Sequence, residues 1–438
     1  MAALAVAFAA MFCVRPAAAL PSFAQQTGEP CASCHVGAYG PQLKPYGRDF
    51  KLFGYVSGDG ANTLPPIAAL VTGSFTETQA DRPALAHYAT NDNSAVTSAL
   101  LAYAGKVGWG IGTLSEVTYD PVRRKYAVSR VDFRRAFTSS FAGGKDLIWG
   151  AELNNRPGLQ DLWNSTPVFE FNAATSAFAA SPAAASLIDG KLSGRVAGAG
   201  FFAMWDDWLY TEFADYGQLD RNLLNRAGLA TPATADRYQG QIPYWRLAAQ
   251  HSFADTHYWE VGAYGLHADR FPGDIQTAGT DGLSDLGFDA TYQYIGSKRH
   301  FVAAHATWIH EEDQLDAARI TAKTAAADYL DTIRADVIYS FADTWTPAVE
   351  WFHTSGSTDP KFFKTANGSP NTDGYVVELS YAPFGKKSPS IPWANLRLNA
   401  RYVGYTRFNG ATARANANNT LFIGVNLAFA PFGGLVKR

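Results

Sequence analysis

Several things are scarce in this chain, and each scarcity excludes a class. Charged residues make up only 17% of 438 residues, well below the roughly 25% of ordinary soluble domains. Neither sign of charge is in excess, with 36 Lys+Arg against 39 Asp+Glu and a formal charge of -3, which excludes a polybasic nucleic-acid binder. Beyond the N-terminus no apolar run approaches the ~20 residues a membrane-spanning helix needs, so a helical membrane bundle is excluded too. Cysteine and methionine occur three times each, too few for a disulfide-built scaffold. What is abundant is aromatic side chains (28 Phe, 21 Tyr, 11 Trp) and glycine (39), within 47% hydrophobic residues. That apolar content excludes disorder. A β-rich chain with a mean hydropathy of only -0.13 remains, and this is how a membrane barrel escapes hydropathy plots.

The first segment reads as an export signal. Ala2–Val14 is almost unbroken apolar sequence, followed by Arg15, Pro16 and Ala17-Ala18-Ala19, an A-x-A-like cleavage site. It lacks the basic start such signals carry, and it is too short for a spanning anchor. Cleavage after Ala19 removes Cys13, Met1 and Met11, leaving Met204, Cys31 and Cys34.

The two remaining cysteines stand in Cys31-Ala32-Ser33-Cys34-His35, a C-x-x-C-H run and thus the attachment signature of c-type haem. The spacing offers two thiols to the porphyrin vinyl groups and the adjacent His35 to the iron as proximal ligand. A short disulfide loop and half of a zinc site are the competing readings. A zinc site needs further ligands at finger-like spacing, and no second C-x-x-C exists. Met204 lies too far along the chain to be an expected sixth ligand. Candidates for that position are another histidine, Lys44, Lys51, water, or none. Leu20–Tyr55 contains no histidine but His35, so a histidine partner has to come from elsewhere.

From about Pro66 to Ala430 one pattern recurs, roughly ten alternating residues and then a turn. Asp285, Asp289, Thr291 and Gln293 alternate with Leu286, Phe288, Ala290, Tyr292 and Tyr294; Arg397, Asn399 and Arg401 with Leu396, Leu398, Ala400 and Tyr402. Glu378 and Ser380, and likewise Arg334 and Asp336, alternate with apolar neighbours. Period two with one apolar face predicts strands. Tight turns expected near Gly105–Gly108, Gly143–Lys145, Asp206–Asp207, Ala254–Thr256, Gly296–Lys298 and Ala342–Asp343 alternate with longer polar segments near 79–95, 155–191, 217–242, 269–283, 313–327 and 356–373. Short turns on one side and long loops on the other are the outer-membrane pattern. The fold class is therefore all-β: a transmembrane antiparallel β-barrel of about 16 strands with a short N-terminal haem segment. The expected division is 1–19 signal, 20–64 monohaem cytochrome c segment, 65–430 porin-like barrel and 431–438 tail. The 155–191 loop is a candidate to fold inward.

Leu20–Tyr55, LPSFAQQTGEPCASCHVGAYGPQLKPYGRDFKLFGY, resembles the N-terminal signature of the fused outer-membrane cytochrome–porin family, whose studied members are iron oxidases. The family pattern is roughly P-x-F-A-R-Q-T-G, C-x-x-C-H, P-x-L and F-G-R-x-F-K. Pro21, Phe23, Ala24, Gln26, Thr27 and Gly28 match it, then Cys31, Cys34 and His35, then Pro41, Leu43, Gly47, Arg48, Phe50 and Lys51. Gln25 stands where the family has arginine, Tyr46 where it has phenylalanine, and 36–40 is slightly longer. The run from Asn154 to Pro167 is also similar. Over the barrel the likeness is architectural.

The resemblance implies one covalent haem c, an outer-membrane location, and a haem segment at the periplasmic side or inside the barrel. It implies an oxidoreductase that takes electrons from extracellular Fe(II) and passes them to a periplasmic cytochrome. A haem-bearing porin serving another extracellular donor, or a diffusion channel with a structural haem plug, are the alternatives. Outer-membrane lipid is an expected partner; nucleic acid is not. Some 36 residues are too few to bury a haem alone, so the barrel has to complete the pocket. Arg48 and Lys51 are candidate propionate partners by charge, and Phe50, Phe53 and Tyr55 candidates to pack on the ring. Glu152, Glu212, Glu260, Asp289, Glu350 and Glu378 are lumen carboxylates suited to guide a cation. For the distal iron position His305 is the leading histidine, on the lumen face, with His251, His257 and His300 near the short-turn side.

Overall fold

The structure, a computed structural model, describes residues 20–58, 65–141, 143–166, 169, 176–229, 235–296, 299–386 and 394–431. The expected signal at 1–19 and most of the C-terminal tail lie outside the described residues. Eighteen strand segments form one antiparallel sheet that closes on itself through Ile67–Thr78 against Thr420–Phe429. Two staves of this barrel are each built from two segments. Lys125–Arg130 and Asp132–Phe141 both pair with Ile111–Asp120 and are separated only at Val131. Arg237–Gln239 and Ile242–Phe253 both pair with His257–Phe271 and are separated at Gly240 and Gln241. The barrel thus has the sixteen strands expected.

The period-two reading fixes which side chains face where. In Asp281–Ile295 the odd-numbered residues are buried through Gln293, while Leu286, Phe288 and Tyr292 are exposed. Glu378 and Ser380 point inward and Val377 and Leu379 outward; Asn399 and Arg401 point inward and Leu398 outward. The outward face carries Phe201, Phe213, Val261, Val337 and Val349 as an apolar belt. Toward the short-turn end stand Trp109, Trp205, Trp208, Phe253 and Trp345, and toward the other end Tyr119, Tyr126 and Tyr329. An apolar belt between aromatic girdles on a closed barrel is an outer-membrane protein, with its short turns on the periplasmic side.

Those short turns have a local cause. Asp206–Asp207, Ala254–Asp255, Ala342–Asp343, Trp109–Gly110 and Gly143–Gly144 each place two consecutive residues at positive φ, the requirement of a type I′ hairpin turn. One expected turn moves: the strand Asn93–Gly108 runs through Gly105–Gly108, with a register shift between Lys106 and Gly108, and turns at Trp109–Gly110. The alternation of loop lengths is also not strict, since residues 121–124 form a tight turn on the long-loop side.

The N-terminal segment occupies the short-turn end of the lumen. It comprises α1 (Pro21–Thr27), one turn α2 (Cys31–Cys34) and α3 (Pro45–Leu52), with proline opening α1 and α3, where its missing N–H costs nothing. Lys44 pairs with Asp343 at 2.7 Å, Asn395 donates to the Ala38 carbonyl at 2.8 Å, and the Lys106 N–H donates to Gln26 at 2.9 Å. From the opposite side the described residues of the 155–191 loop fold inward as expected, with Leu187 and Ile188 N–H groups donating to Glu311 and Asp285 on the lumen wall at 2.6 and 2.7 Å.

The belt assignment predicts a cost for charge at outward positions. Val349→Arg is expected to lower barrel stability by about 2–4 kcal/mol if the site lies near the bilayer midplane, read as the urea midpoint of folding in lipid vesicles. An unchanged midpoint overturns the outward assignment of this strand.

Candidate functional site

The Cys31–Cys34 turn faces a cavity of about 850 Å³, the open solvent at its mouth included. Cys31, Cys34 and His35 all line it. The two thiols are not joined, so the short disulfide loop is not formed. Burial pushes the Cys31 thiol up to about 11 and Cys34 up to about 12. Burial, with Lys44 nearby, pushes the His35 imidazole down to about 4. At neutral pH the thiols are therefore protonated and the imidazole neutral, its ligating form.

Two glycines let the backbone close around this turn. A Cβ on Gly47 would lie 2.5 Å from the Cys34 carbonyl oxygen, so only glycine lets α3 rest against α2. A Cβ on Gly40, which has φ +76°, would lie 2.5 Å from His35 Nδ1. Gly47, Phe50 and Lys51 then fall on one helical stripe and all line the cavity. Phe23, Phe50 and Tyr55 form its aromatic wall, with Phe23 centred 5.0 Å from Phe50 and 5.5 Å from Tyr55. The barrel adds Leu114, Glu116 and Arg130, and the inward loop adds Leu159, Asn164 and Phe169. The pocket is completed by the barrel, as the shortness of the segment requires.

These residues fit a c-type haem: two thiols and an imidazole on one wall, apolar rings around them, and a cation at the edge. That cation is Arg130. It pairs with Glu116 at 3.3 Å, and its buried Nε has no hydrogen-bond partner among the described residues, which suits a carboxylate. Sequence reasoning missed it because it lies 95 positions beyond the motif on a strand, where charge alone marks nothing.

Arg48, expected beside the propionates, is not at the cavity. One position off the lining stripe of α3, it turns to the barrel wall, donating to Gln293 at 2.8 Å and the Leu43 carbonyl at 3.1 Å. Its guanidinium stacks 3.6 Å from the Trp163 ring. Lys51 does line the cavity. Its Nζ donates to Asn164 Oδ1 at 2.6 Å and to the Asp161 carbonyl, and burial pushes its amine well below the usual lysine range, with Arg134 acting the same way. Phe53 packs instead against the cluster around Trp163 and Met204.

No second histidine reaches the cavity among the described residues. His305 is buried on the lumen wall, where its Nδ1 meets Asp336 at 2.9 Å. It is thus engaged away from the site for which it was a distal candidate. His257 and His300 contact the hydroxyls of Tyr292 and Tyr339 at 2.7 Å, and His251 lies against Trp259. These three belong to the periplasmic girdle. Lys44 is drawn off by Asp343 and the Ala32 carbonyl.

The inward loop is anchored by a buried charge network. The Asp161 carboxylate accepts backbone N–H groups from Trp163, Ser165 and Thr166 at 2.6–2.9 Å and lies 3.6 Å from Arg246, which also holds Glu260 and Asp289 at 2.5 and 2.8 Å. Of the expected lumen carboxylates, Glu260, Asp289 and Glu378 are therefore paired with arginines, Glu378 with Arg397. Glu350 lies 4.0 Å from Arg401, while Glu152 and Glu212 accept from Gln160 and Tyr210 at 2.6 and 3.1 Å. The cation funnel is thus largely compensated.

No family model matches the sequence, and no curated protein matches it. Solved structures similar to this chain are outer-membrane proteins. Pseudomonas putida OprB at high pH has 12% identity and a TM-score of 0.48 over 83% of this chain and 93% of that one. The anion-selective porin from Comamonas acidovorans has 10% identity and 0.47 over 83% and 98%. Salmonella typhi OmpF in complex with daunomycin has 12% and 0.46 over 83% and 97%. Likenesses at this level carry no argument about function, and the barrel rests on its own strand pairing and outward belt.

Two outcomes test this site. Gly47→Ala is expected to push α3 off the Cys31–Cys34 turn, so that limited proteolysis cuts residues 20–58 faster while the heat stability of the barrel is kept. Arg246→Met strands three buried carboxylates, at a cost of about 3–5 kcal/mol, and is expected to open the 155–191 loop to protease.

Proposed function

We propose that this porin-like outer-membrane barrel carries one covalent haem c and moves electrons from an extracellular donor, Fe(II) foremost, to a periplasmic cytochrome. The single observation behind this reading is the cavity at the periplasmic mouth that Cys31, Cys34 and His35 line together with Phe23, Phe50 and Tyr55. A C-x-x-C-H run at such a pocket, outside the cytoplasm, favours thioether attachment over zinc, since no group of three or more metal-ligating side chains forms among the described residues. The bound haem supplies one-electron exchange at its iron.

The remaining roles belong to the chain. Cys31 and Cys34 would hold the group covalently, and the neutral imidazole of His35 would serve as ligand. Phe23, Phe50, Tyr55, Leu114 and Leu159, which line the cavity, would keep water from the group, which lowers the local dielectric and favours the less charged state of the site. Arg130 would neutralise a carboxylate of the group. Lys44 and Asp343 fix the segment to a periplasmic turn, the side from which a soluble acceptor docks.

The experiment uses full-length protein produced with c-type maturation and purified in detergent. Haem that stays on the chain through denaturation, and is lost in Cys31→Ala/Cys34→Ala, is expected. Anaerobic mixing with Fe(II) is expected to reduce that haem rapidly in stopped-flow absorbance. Haem reduced by dithionite but not by Fe(II) overturns the Fe(II) assignment and leaves another donor; no covalent haem overturns the electron-transfer reading.

A further inference from the structure

A second surface, independent of the haem, stands on the outside of the barrel. Six of the nine histidines point outward, all on strands from Ile242–Phe253 to Trp345–Gly356. His251, His257 and His300 belong to the periplasmic girdle. His267, His310 and His353 follow one another at intervals of 43 residues, each a few residues short of the end of a strand that climbs from a short turn to a long loop. They therefore stand at one height, at the extracellular end. Each is two strand steps from the next, about 10 Å at the usual strand spacing.

Each histidine is tied to the residue directly across from it. His267 faces Ser284, His310 faces Asp331 and His353 faces Asp373. Nδ1 meets the Ser284 hydroxyl at 2.8 Å, the Asp331 carboxylate at 3.0 Å, and the Asp373 carboxylate. An indole stands beside each imidazole. Trp308 and Trp351, two residues earlier on the same outward face, have ring centres 6.0 Å from those of His310 and His353, with planes 20° and 4° apart. On the first strand that position is Gly265. Trp245 stands directly opposite it, and a Cβ on Gly265 would lie 2.9 Å from the Trp245 Nε1, so the neighbouring strand supplies the missing indole. One arrangement of indole, imidazole and cross-strand acceptor thus recurs three times along the rim.

The hydrogen bonds decide what this row can recognise. A carboxylate only accepts, so at His310 and His353 it is Nδ1 that donates. In a neutral imidazole Nε2 is then an acceptor, and no group among the described residues donates to it. It is within reach, because the three histidine side chains are 49, 37 and 30% exposed. The charge around the row is acidic. Asp269, Glu312, Asp331 and Asp373 share this outward rim with Arg407, which Asp373 holds at 3.2 Å, and with Arg237 at its upper edge. Free acceptors among carboxylates repel a phosphate and suit O–H donors. Trp245 and Trp351 keep 40 and 50% of their surface exposed, and an open indole face suits the C–H face of a sugar ring. On an outer-membrane barrel this band lies among the headgroups of the outer leaflet.

We propose that His267, His310 and His353, each with its indole, bind the sugar headgroup of an outer-leaflet glycolipid, with Nε2 accepting from sugar hydroxyls. At about 10 Å apart no two imidazoles reach one atom, so the row fits the linked rings of an oligosaccharide and not a chelated ion. The other strands carry no outward histidine among the described residues, so the glycolipid is held on one side of the barrel.

The test is native mass spectrometry of the full-length protein in detergent with three probes: rough lipopolysaccharide, the same glycolipid stripped of phosphate with hydrofluoric acid, and phosphatidic acid. The wild type is expected to retain both glycolipids to a similar extent and phosphatidic acid far less. His267→Ala/His310→Ala/His353→Ala is expected to weaken retention of both glycolipids by about tenfold or more, as the loss of three hydrogen bonds of ordinary strength requires. His251→Ala/His257→Ala/His300→Ala, which alters only the periplasmic row, is expected to retain them as the wild type does. Retention unchanged in the first variant, or lost equally in the second, overturns the placement. A wild type that loses the glycolipid once phosphate is removed, or that holds phosphatidic acid as well, overturns the sugar chemistry without any variant, so poor folding of a variant does not protect the proposal.

Discussion

Everything in this molecule depends on one seam. The antiparallel pairing of Ile67–Thr78 with Thr420–Phe429, from Ala69 opposite Phe429 to Thr78 opposite Thr420, turns an open sheet into a barrel. In hydrocarbon an unpaired strand edge leaves N–H and C=O groups with no water to meet them, at several kcal/mol each. Closure removes the edges. It also fixes the facing of every residue, because a slip of one position would exchange lumen and lipid faces along a whole strand. Asp132, Gln293 and Asp343 are thereby held where Tyr55, Arg48 and Lys44 of the N-terminal segment donate to them, at 2.7, 2.8 and 2.7 Å.

Given a closed wall, two segments that have no core of their own share its interior. Residues 20–58 bring the cysteines, His35 and three aromatic rings. The inward loop brings Leu159, Asn164 and Phe169 to the same cavity. Neither encloses the space alone. The joints between them are polar and specific: Asn164 to Pro41 and Lys51, and Arg48 stacked on Trp163. Trp163 is in turn held by Gln250 at 2.8 Å. Buried charges of this kind are expensive unless paired, and Arg246 among Asp161, Glu260 and Asp289 gives the loop one position rather than many. The rigidity of the cavity therefore comes from the barrel wall, transmitted through the loop.

The sequence made the barrel legible because period two is a property of neighbours, and neighbours are what a sequence displays. Asp285, Glu378 and Arg401 could be placed inward from their flanking residues alone. Local breaks were not visible. The gaps at Val131 and at Gly240–Gln241 leave both halves of a stave paired to the same neighbour, so continuity is a matter of pairing rather than of pattern. The cysteines and His35 were legible for the same reason as the strands, being contiguous. Arg48 and Arg130 show the limit. Both are arginines, and only the pitch of α3 and the stagger of the barrel decide that the first faces Gln293 and the second faces the cavity. His305 sits on the predicted face, yet a face specifies a direction and not a height, and at its height the partner is Asp336.

Height also constrains the proposed electron transfer. The cavity lies at the short-turn end, tied to Asp343 and to the chain beside Lys106, while the apolar belt of such a barrel is ~25 Å tall. A haem held there is close to the periplasm and far from the outer surface. The acceptor side is then simple contact, and the donor side is the problem. Paired carboxylates at Glu260, Asp289 and Glu378 offer a descending cation little net charge. Glu152 and Glu212 accept instead from the neutral donors Gln160 and Tyr210, and Gln160 ties Glu152 to the loop that also carries Leu159 to the cavity wall. A donor route through this lumen, as proposed, therefore has to rest on shape and on the loop that carries Leu159 to the cavity wall, and not on a funnel of negative charge.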